Sequence, residues 1–281
     1  EPVPIPEQVD LLVGRFLKMA RLQKATRAER KVALLFWNSP GGERNISASN
    51  LNVPKSIETI MQSLSEAGYT LTPQAEQEVI TGAQALLAGY YHPETLEHLY
   101  ANGKAVAFPV ADYQAWFAAL PAAIRDEVTN AWGAPEQHWS VRDVDGKPAF
   151  IIPLIQTGNF MFLPQPPRAD KVGESYHDLK QPPGHLYLAT YLYLRESFEA
   201  DAFIHLGTHG TQEWTPGKDR GLWAYDYPFL LVGNVPVFYP YIQDNIGEAM
   251  QAKRRGRATV ISHQTPAFAP SGLYDELRDI H

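Results

Sequence analysis

The stretch HLGTHGTQEWTPGK, residues 205–218, gathers two histidines, a glutamate and a lysine into fourteen positions. Neutral imidazole and ionised carboxylate can hold a borderline divalent metal, move protons, or do both. His205 and His209 are four residues apart and would share one face of a helix, but Gly207 and Gly210 make a loop the better expectation. The zinc-protease pattern requires a glutamate directly after the first histidine. Leu206 stands there instead, so that reading fails at its catalytic base. Taken singly, each member has an ordinary structural reading: a hydrogen-bonded histidine at a strand end, or a solvated Glu213 or Lys218. Their crowding into one glycine-punctuated loop is what gives the stretch weight.

Such residues need a frame. AFIHL (202–206) reads as a buried strand ending at Gly207, which puts the remaining polar residues in the loop beyond its carboxyl edge, where open α/β sheets bind ligands. KVALLFWN (31–38) is a second buried strand, followed by the turn-rich SPGGERNISASN. VPKSIETIMQSLSEAGY then reads as a helix, with Pro54 near its start and Gly68 at its end. Residues 74–139 read as mostly helical, in three stretches. AFIIPLIQTGNFMFLPQP is a strand region with the pattern of a hairpin, and HLYLATYLYLRESF a helix whose aromatic and leucine positions fill a core. VPVFYPYI, IGEAMQAKRRG and ATVIS continue as strand, helix closed by Gly256, and strand; SGLYDELRDIH reads as a last helix. The expected fold is α/β: mainly parallel sheet units with helices on both faces, plus a helical insert. Residues 1–30 read as a linker and leading helix, 31–145 as an α/β unit with the insert, and 146–281 as the α/β unit bearing the histidine stretch.

Composition narrows the chemistry. The chain has 281 residues, 44% hydrophobic and 20% charged, ample for a buried core. A formal net charge of -7 with no dense basic cluster argues against nucleic acid as a partner. There is no cysteine, so a metal would fall to the nine histidines, to carboxylates or to nitrogens of a ligand. No run approaches the roughly 18 apolar residues of a membrane span, and no secretory signal pattern opens the chain, so a cytoplasmic, non-membrane protein is expected. GGERNIS lacks the Gly-Lys-Ser/Thr ending of a phosphate loop, which assigns ATP binding elsewhere. AKRRGR (252–257) is a small basic cluster, either a solvated face or a contact for an acidic partner.

The signature stretch resembles the HxGxHGxxEW/F-x-PGK motif of the large-subunit family shared by aerobic cobaltochelatase (CobN) and magnesium chelatase (its H-type large subunit). KVALLFWNSPGGERNISASNLNVPKSI, GNFMFLPQPPR, PPGHLYLATYLYLRE and the segment 232–277 resemble further family segments in family order, whereas 70–145 does so least. The Asn-Ser-Pro-Gly loop and Trp214 lean toward the cobalt branch. The resemblance implies insertion of Co²⁺ into a corrin tetrapyrrole, hydrogenobyrinic acid a,c-diamide. ATP would be hydrolysed on AAA+ partner subunits of the CobS and CobT type rather than bound here.

Carried over residue by residue, the resemblance makes His205, His209 and Glu213 candidates for holding the metal, with Glu213, His209 and Glu174 as catalytic groups. Lys218, His185 and Asn38 become candidates for binding substrate. If His205 and His209 ligate, both must be neutral, so loading should weaken near pH 6.5. Alternatives are the magnesium-type porphyrin subunit, a non-catalytic tetrapyrrole- or metal-binding module, and a metal-dependent hydrolase, which would require a fixed three-ligand site.

Overall fold

The computed structural model describes residues 3–37, 41–48, 51–169, 178–207, 210–241 and 246–262. The chain opens with helix α1 (Pro6–Lys24), which has proline in its first turn and no buried residue. It is tethered by polar contacts: Arg21 Nε donates to the buried Asp201 carboxylate at 2.7 Å, and Gln8 Nε2 to the Leu222 carbonyl at 3.0 Å. Gly14 lets the helix approach Asn234, whose amide a Cβ would meet at 2.2 Å. Beside this contact a cavity of about 540 Å³ separates part of the helix from the body, lined by Asp10, Lys18, Arg195 and Tyr225 among others.

Strand β1 (Val32–Phe36) is buried throughout, as an apolar run covered on both faces must be. The short strands β2 (Ser47–Ala48) and β3 (Leu51–Asn52) pair with each other and lead into α2 (Val53–Glu66). The Asn52 side chain caps α2 by accepting from the Lys55 amide at 3.1 Å, with Pro54 in the first turn, as the sequence pattern predicts. Ile57 and Met61 of α2 and Val79 and Leu86 of α3 (Glu76–Tyr91) pack on Val32, Leu34 and Phe36.

The stretch expected to be mostly helical does hold α4 (Leu96–Ala101), α5 (Val110–Ala118) and α6 (Ala122–Trp132), but also β4 (Ala105–Pro109). That strand pairs antiparallel with β6 (Lys147–Pro153), which pairs in turn with β5 (Val141–Val144), forming a second, three-stranded sheet. A five-residue apolar run between helices carries no period that separates strand from helix, and its strand identity comes from β6. The hairpin pattern is realised one strand later, where β7 (Ile155–Thr157) folds back on β8 (Phe160–Pro164).

Helix α7 (His185–Leu192) is buried at all eight positions and continues into a π-helical turn at Tyr193–Ser197. It precedes β9 (Ala202–Leu206), then α8 (Tyr227–Val232), β10 (Val237–Tyr241), α9 (Ile246–Arg254) and β11 (Ala258–Ser262). The main sheet runs β11-β10-β9-β1-β8-β7, parallel except for β7 at the edge. Thus β1 lies between two strands that follow it by more than a hundred residues. Ala33, Leu35, Phe203 and Tyr239 face α7 and α8, while Val32, Leu34 and Phe36 face α2 and α3. The α/β class expected from the strand–helix alternation is the one observed. The expected helix at 271–281 lies outside the described residues.

Candidate functional site

The carboxyl ends of β8, β1 and β9 are laced together. Gln165 donates its backbone N–H to Phe36 O at 2.9 Å, and Trp37 donates to Leu206 O at 2.9 Å. Just past β9, residues Gln212–Trp214 form a single 3₁₀ turn that carries Glu213. Glu213 is fully buried, and its Oε1 accepts from the Gly210 amide at 2.9 Å. At 210 a Cβ would stand 3.2 Å from both the Gln165 amide and the Glu213 carboxylate, a tight fit that glycine avoids.

Gln165 then acts as a hub. Its Oε1 accepts from Thr211 N at 2.7 Å and Thr211 Oγ1 at 3.0 Å, while its Nε2 donates to the Tyr191 hydroxyl at 3.0 Å. Tyr187 and Thr211 share a hydrogen bond of 2.7 Å, and the Tyr191 hydroxyl lies 3.2 Å from His205 Nε2. All five side chains are buried. A polar network that is dry and joined in this way fixes its members, because breaking one bond strands another buried group.

Two arginines hold the loop from outside this network. Arg255, only 1% exposed, donates through Nε to the Glu213 carbonyl at 2.8 Å and through Nη1 to Gly217 O at 3.3 Å. It also donates to the carbonyls of Lys218 and Thr215. Arg168, following β8, donates to Trp214 O at 3.2 Å and to the carbonyls of Asp178 and Gln181. The basic cluster at 252–257 is therefore not simply a solvated face. Lys253 and Arg254 are exposed, but Arg255 is turned inward, and Arg257 lies 3.3 Å from the Phe229 ring centroid and donates to Gly233 O.

The electrostatics follow from burial. Desolvation pushes the phenols of Tyr187, Tyr191, Tyr239 and Tyr241 up, and the negative charge of Glu213 pushes each further. These hydroxyls stay protonated across the physiological range. His205 moves the other way, because burial depresses its imidazole to about 3.

The structure brings two of the sequence-derived candidates, His205 and Glu213, to the carboxyl edge of the sheet. His205 lies within β9, paired with Leu35, its ring between Tyr191 and Tyr239 and its Nε2 engaged by Tyr191. With a pKa near 3 it does not titrate around pH 6.5, so the expected imidazole-range loss of metal loading does not originate at this residue. Lys218 has an exposed side chain, while its backbone is held by Arg255 and Asp226. His185 is buried at the start of α7, its Nδ1 2.8 Å from the Tyr113 hydroxyl and its Nε2 3.0 Å from Gly133 O. Its ring sits against Tyr113 and Phe117, so its nitrogens serve the packing of the insert on α7. His209, Asn38 and Glu174 lie outside the described residues. Among the described residues no three histidine, aspartate or glutamate side chains converge to hold a metal. Residue-by-residue reading of the sequence missed Gln165, Tyr191, Arg168 and Arg255. Gln165 had a visible signal, since it stands in the GNFMFLPQP segment directly after a strand.

A parallel sheet covered on both faces, with a buried carboxylate held at its carboxyl edge, is the architecture of a ligand-handling α/β protein. Comparison with known proteins makes the class specific. A family model described as CobN/Magnesium Chelatase matches residues 1–281. The aerobic cobaltochelatase protein CobN of Pseudomonas aeruginosa is 35% identical over 279 residues, covering 98% of this chain and 22% of that protein. The H-type large subunit of magnesium chelatase from Rhodobacter capsulatus is 34% identical over 284 residues, covering 99% and 22%. Among solved structures, the catalytic subunit of cobaltochelatase from Mycobacterium tuberculosis superposes with a TM-score of 0.77 at 31% identity, over 99% of this chain and 23% of that one. The chain belongs to the CobN/magnesium chelatase family, and it spans 22% of the length of these two curated relatives. No helix among the described residues is long and apolar enough to cross a membrane.

Proposed function

We propose that the chain is the part of a cobaltochelatase large subunit that brings Co²⁺ and a corrin together, with hydrogenobyrinic acid a,c-diamide as substrate. ATP is hydrolysed on separate AAA+ partner subunits of the CobS and CobT type. The observation that carries this reading is Glu213, a fully buried carboxylate among protonated phenols in the family's signature stretch. Metallation must release protons from ring nitrogens while a partly dehydrated cation enters. A dry carboxylate whose backbone is clamped on one side suits both tasks, accepting a proton and attracting the cation.

In this reading His209 shares metal reception and proton transfer with Glu213, and Glu174 assists as a second carboxylate. His205 is the remaining metal candidate; with Nε2 engaged, it would ligate through Nδ1 or give up its bond to Tyr191. Lys218, exposed at the rim, pairs with a substrate side chain, and Asn38 offers a further polar contact. His185 contributes through the packing of α7. The near-equal identity to magnesium-chelatase relatives favours one second reading, a porphyrin and Mg²⁺ in place of a corrin and Co²⁺.

The chain should shift the absorption spectrum of a metal-free corrinoid more than that of a metal-free porphyrin; the reverse order would select the second reading. In the complete enzyme, Glu213→Gln should lower turnover by about 10²–10⁴-fold, the range for loss of a general base, while substrate binding persists. Turnover at the unmodified level would remove Glu213 from the chemistry.

A further inference from the structure

Helix α1 lies on the body with a polar side inward. Gln8 reaches the Leu222 carbonyl, Gly14 lies against Asn234, Lys18 Nζ stands 3.8 Å from the buried Asp201 carboxylate, and Arg21 donates to that carboxylate. Asp201 is itself fixed, since it also accepts from the Lys31 amide at 3.0 Å. The rotation of the helix about its axis is therefore set by specific bonds, and the side it turns away is apolar. Val9, Leu12, Phe16 and Met19 are 43%, 53%, 68% and 37% exposed, and Ile5, four residues before Val9, is 56% exposed.

A surface helix that served only this body would turn its apolar stripe toward it. Here the orientation is reversed. From Ile5 to Met19 the intervals are four, three, four and three residues, the spacing of a seam that packs against the side of another helix. No charged residue stands within the seam, and the exposed Val13 and Leu17 widen it. A continuous apolar surface of this kind suits a permanent contact rather than a passing one.

The size of the seam selects where its cover comes from. It spans two heptads, whereas a coiled coil that stands alone sustains its repeat over about three or four. A second copy arriving from solution would therefore be held weakly. A helix of the same polypeptide needs no larger seam, because a tether gives an effective concentration on the order of millimolar. The curated relatives carry such additional polypeptide: this chain covers 22% of the Pseudomonas aeruginosa protein and 22% of the Rhodobacter capsulatus one. The matches take in 98% and 99% of this chain, so they extend into α1, and the greater part of each relative lies outside the matched stretch.

We propose that the outer face of α1 is the docking seam for an apolar-faced helix from the remainder of the large subunit, outside residues 1–281. The proposal rests on the family membership of the chain and not on the choice of metal or ring.

The test places the photo-reactive amino acid p-benzoylphenylalanine in place of Phe16 in the complete large subunit and maps the cross-linked peptides. Irradiation should join this position to a segment of the same polypeptide outside residues 1–281, with the mass of a single polypeptide retained. A cross-link to a second copy, to an ATPase subunit or only to residues within 1–281, or no cross-link at all, would overturn the proposal. In the complete subunit, Leu12→Ser with Phe16→Ser should also raise the rate of tryptic cleavage after Arg15 and Lys24 about tenfold or more, because cleavage of an opened contact follows its population. Cleavage at the parental rate would count against the seam. In the 281-residue chain alone the same pair should leave the urea midpoint essentially unchanged, which separates a lost contact from lost folding. That chain should sediment as a monomer at micromolar concentration; a dimer abolished by the double substitution would assign the seam to a second copy instead.

Discussion

The carboxyl edge of the sheet and the outer face of α1 invert the ordinary rule of burial in opposite senses. At the edge, polar side chains are inside: Gln165, Thr211, Gln212, Glu213 and Arg255 are all buried. On α1 apolar side chains are outside, with Leu12 53% and Phe16 68% exposed in a helix that buries nothing. Buried polar groups and exposed large apolar ones are the informative exceptions in a folded chain. The edge is costly wherever a bond is missing, and its many hydrogen bonds hold the turn at 212–214 in place. The helix is held by a few polar tethers over a cavity, so its apolar residues contribute little to this fold.

Three substitutions or conditions sharpen this contrast. Arg255→Ala should have the largest effect, because it strands four loop carbonyls at once. Urea unfolding should show a loss of about 3–5 kcal/mol, since each buried carbonyl left without a donor costs about 1–3 kcal/mol. A loss below about 1 kcal/mol would mean that the loop holds its shape unaided.

Acid comes next. An ordinary histidine titrates near 6.5 in the unfolded chain, whereas His205 does so at about 3 in the folded one. Between those values only the unfolded state takes up the proton. The contribution of the neutral ring is therefore complete above about pH 6.5 and is lost as pH falls toward 3, at about 1.4 kcal/mol per pH unit. His205→Gln should flatten the stability profile between pH 6 and 4, and an unchanged slope would place the acid sensitivity elsewhere. The smallest effect is expected on α1. Leu12→Ser with Phe16→Ser should shift stability by no more than about 0.5 kcal/mol, as surface changes do. A shift of several times that size would show that the helix supports the core after all.

The difference between these regions also explains what was legible in the sequence. Elements with a strong local pattern could be read directly: β1 from an unbroken apolar run, α2 from Pro54 and Gly68, α9 from the glycine that closes it. The strand β4 could not, because its identity depends on β6, some forty residues later. At the candidate site, residue types singled out Glu213 and His205, since they cluster along the chain. Gln165 and Arg255 come from distant segments and meet the loop only through tertiary pairing. Arg255 was hidden further by its company, as one of four cations in six residues whose neighbours Lys253 and Arg254 do face solvent.

The grip of Arg255 has a consequence for how such a loop can diverge. The guanidinium binds main-chain carbonyls at 213, 215, 217 and 218, not the side chains that those residues carry. Backbone carbonyls are the same whatever the residue, so the clamp is indifferent to identity at an exposed position such as 218, whereas the buried Thr215 also holds the turn through its own hydroxyl, which donates to Gln212 O. Side chains along the rim can therefore be exchanged one at a time while the turn that carries Glu213 keeps its shape. Shape and selectivity are thereby separated within a handful of residues. If the loop handles a ring and an ion as proposed, it can be retuned toward a different ring or a different ion without first being rebuilt.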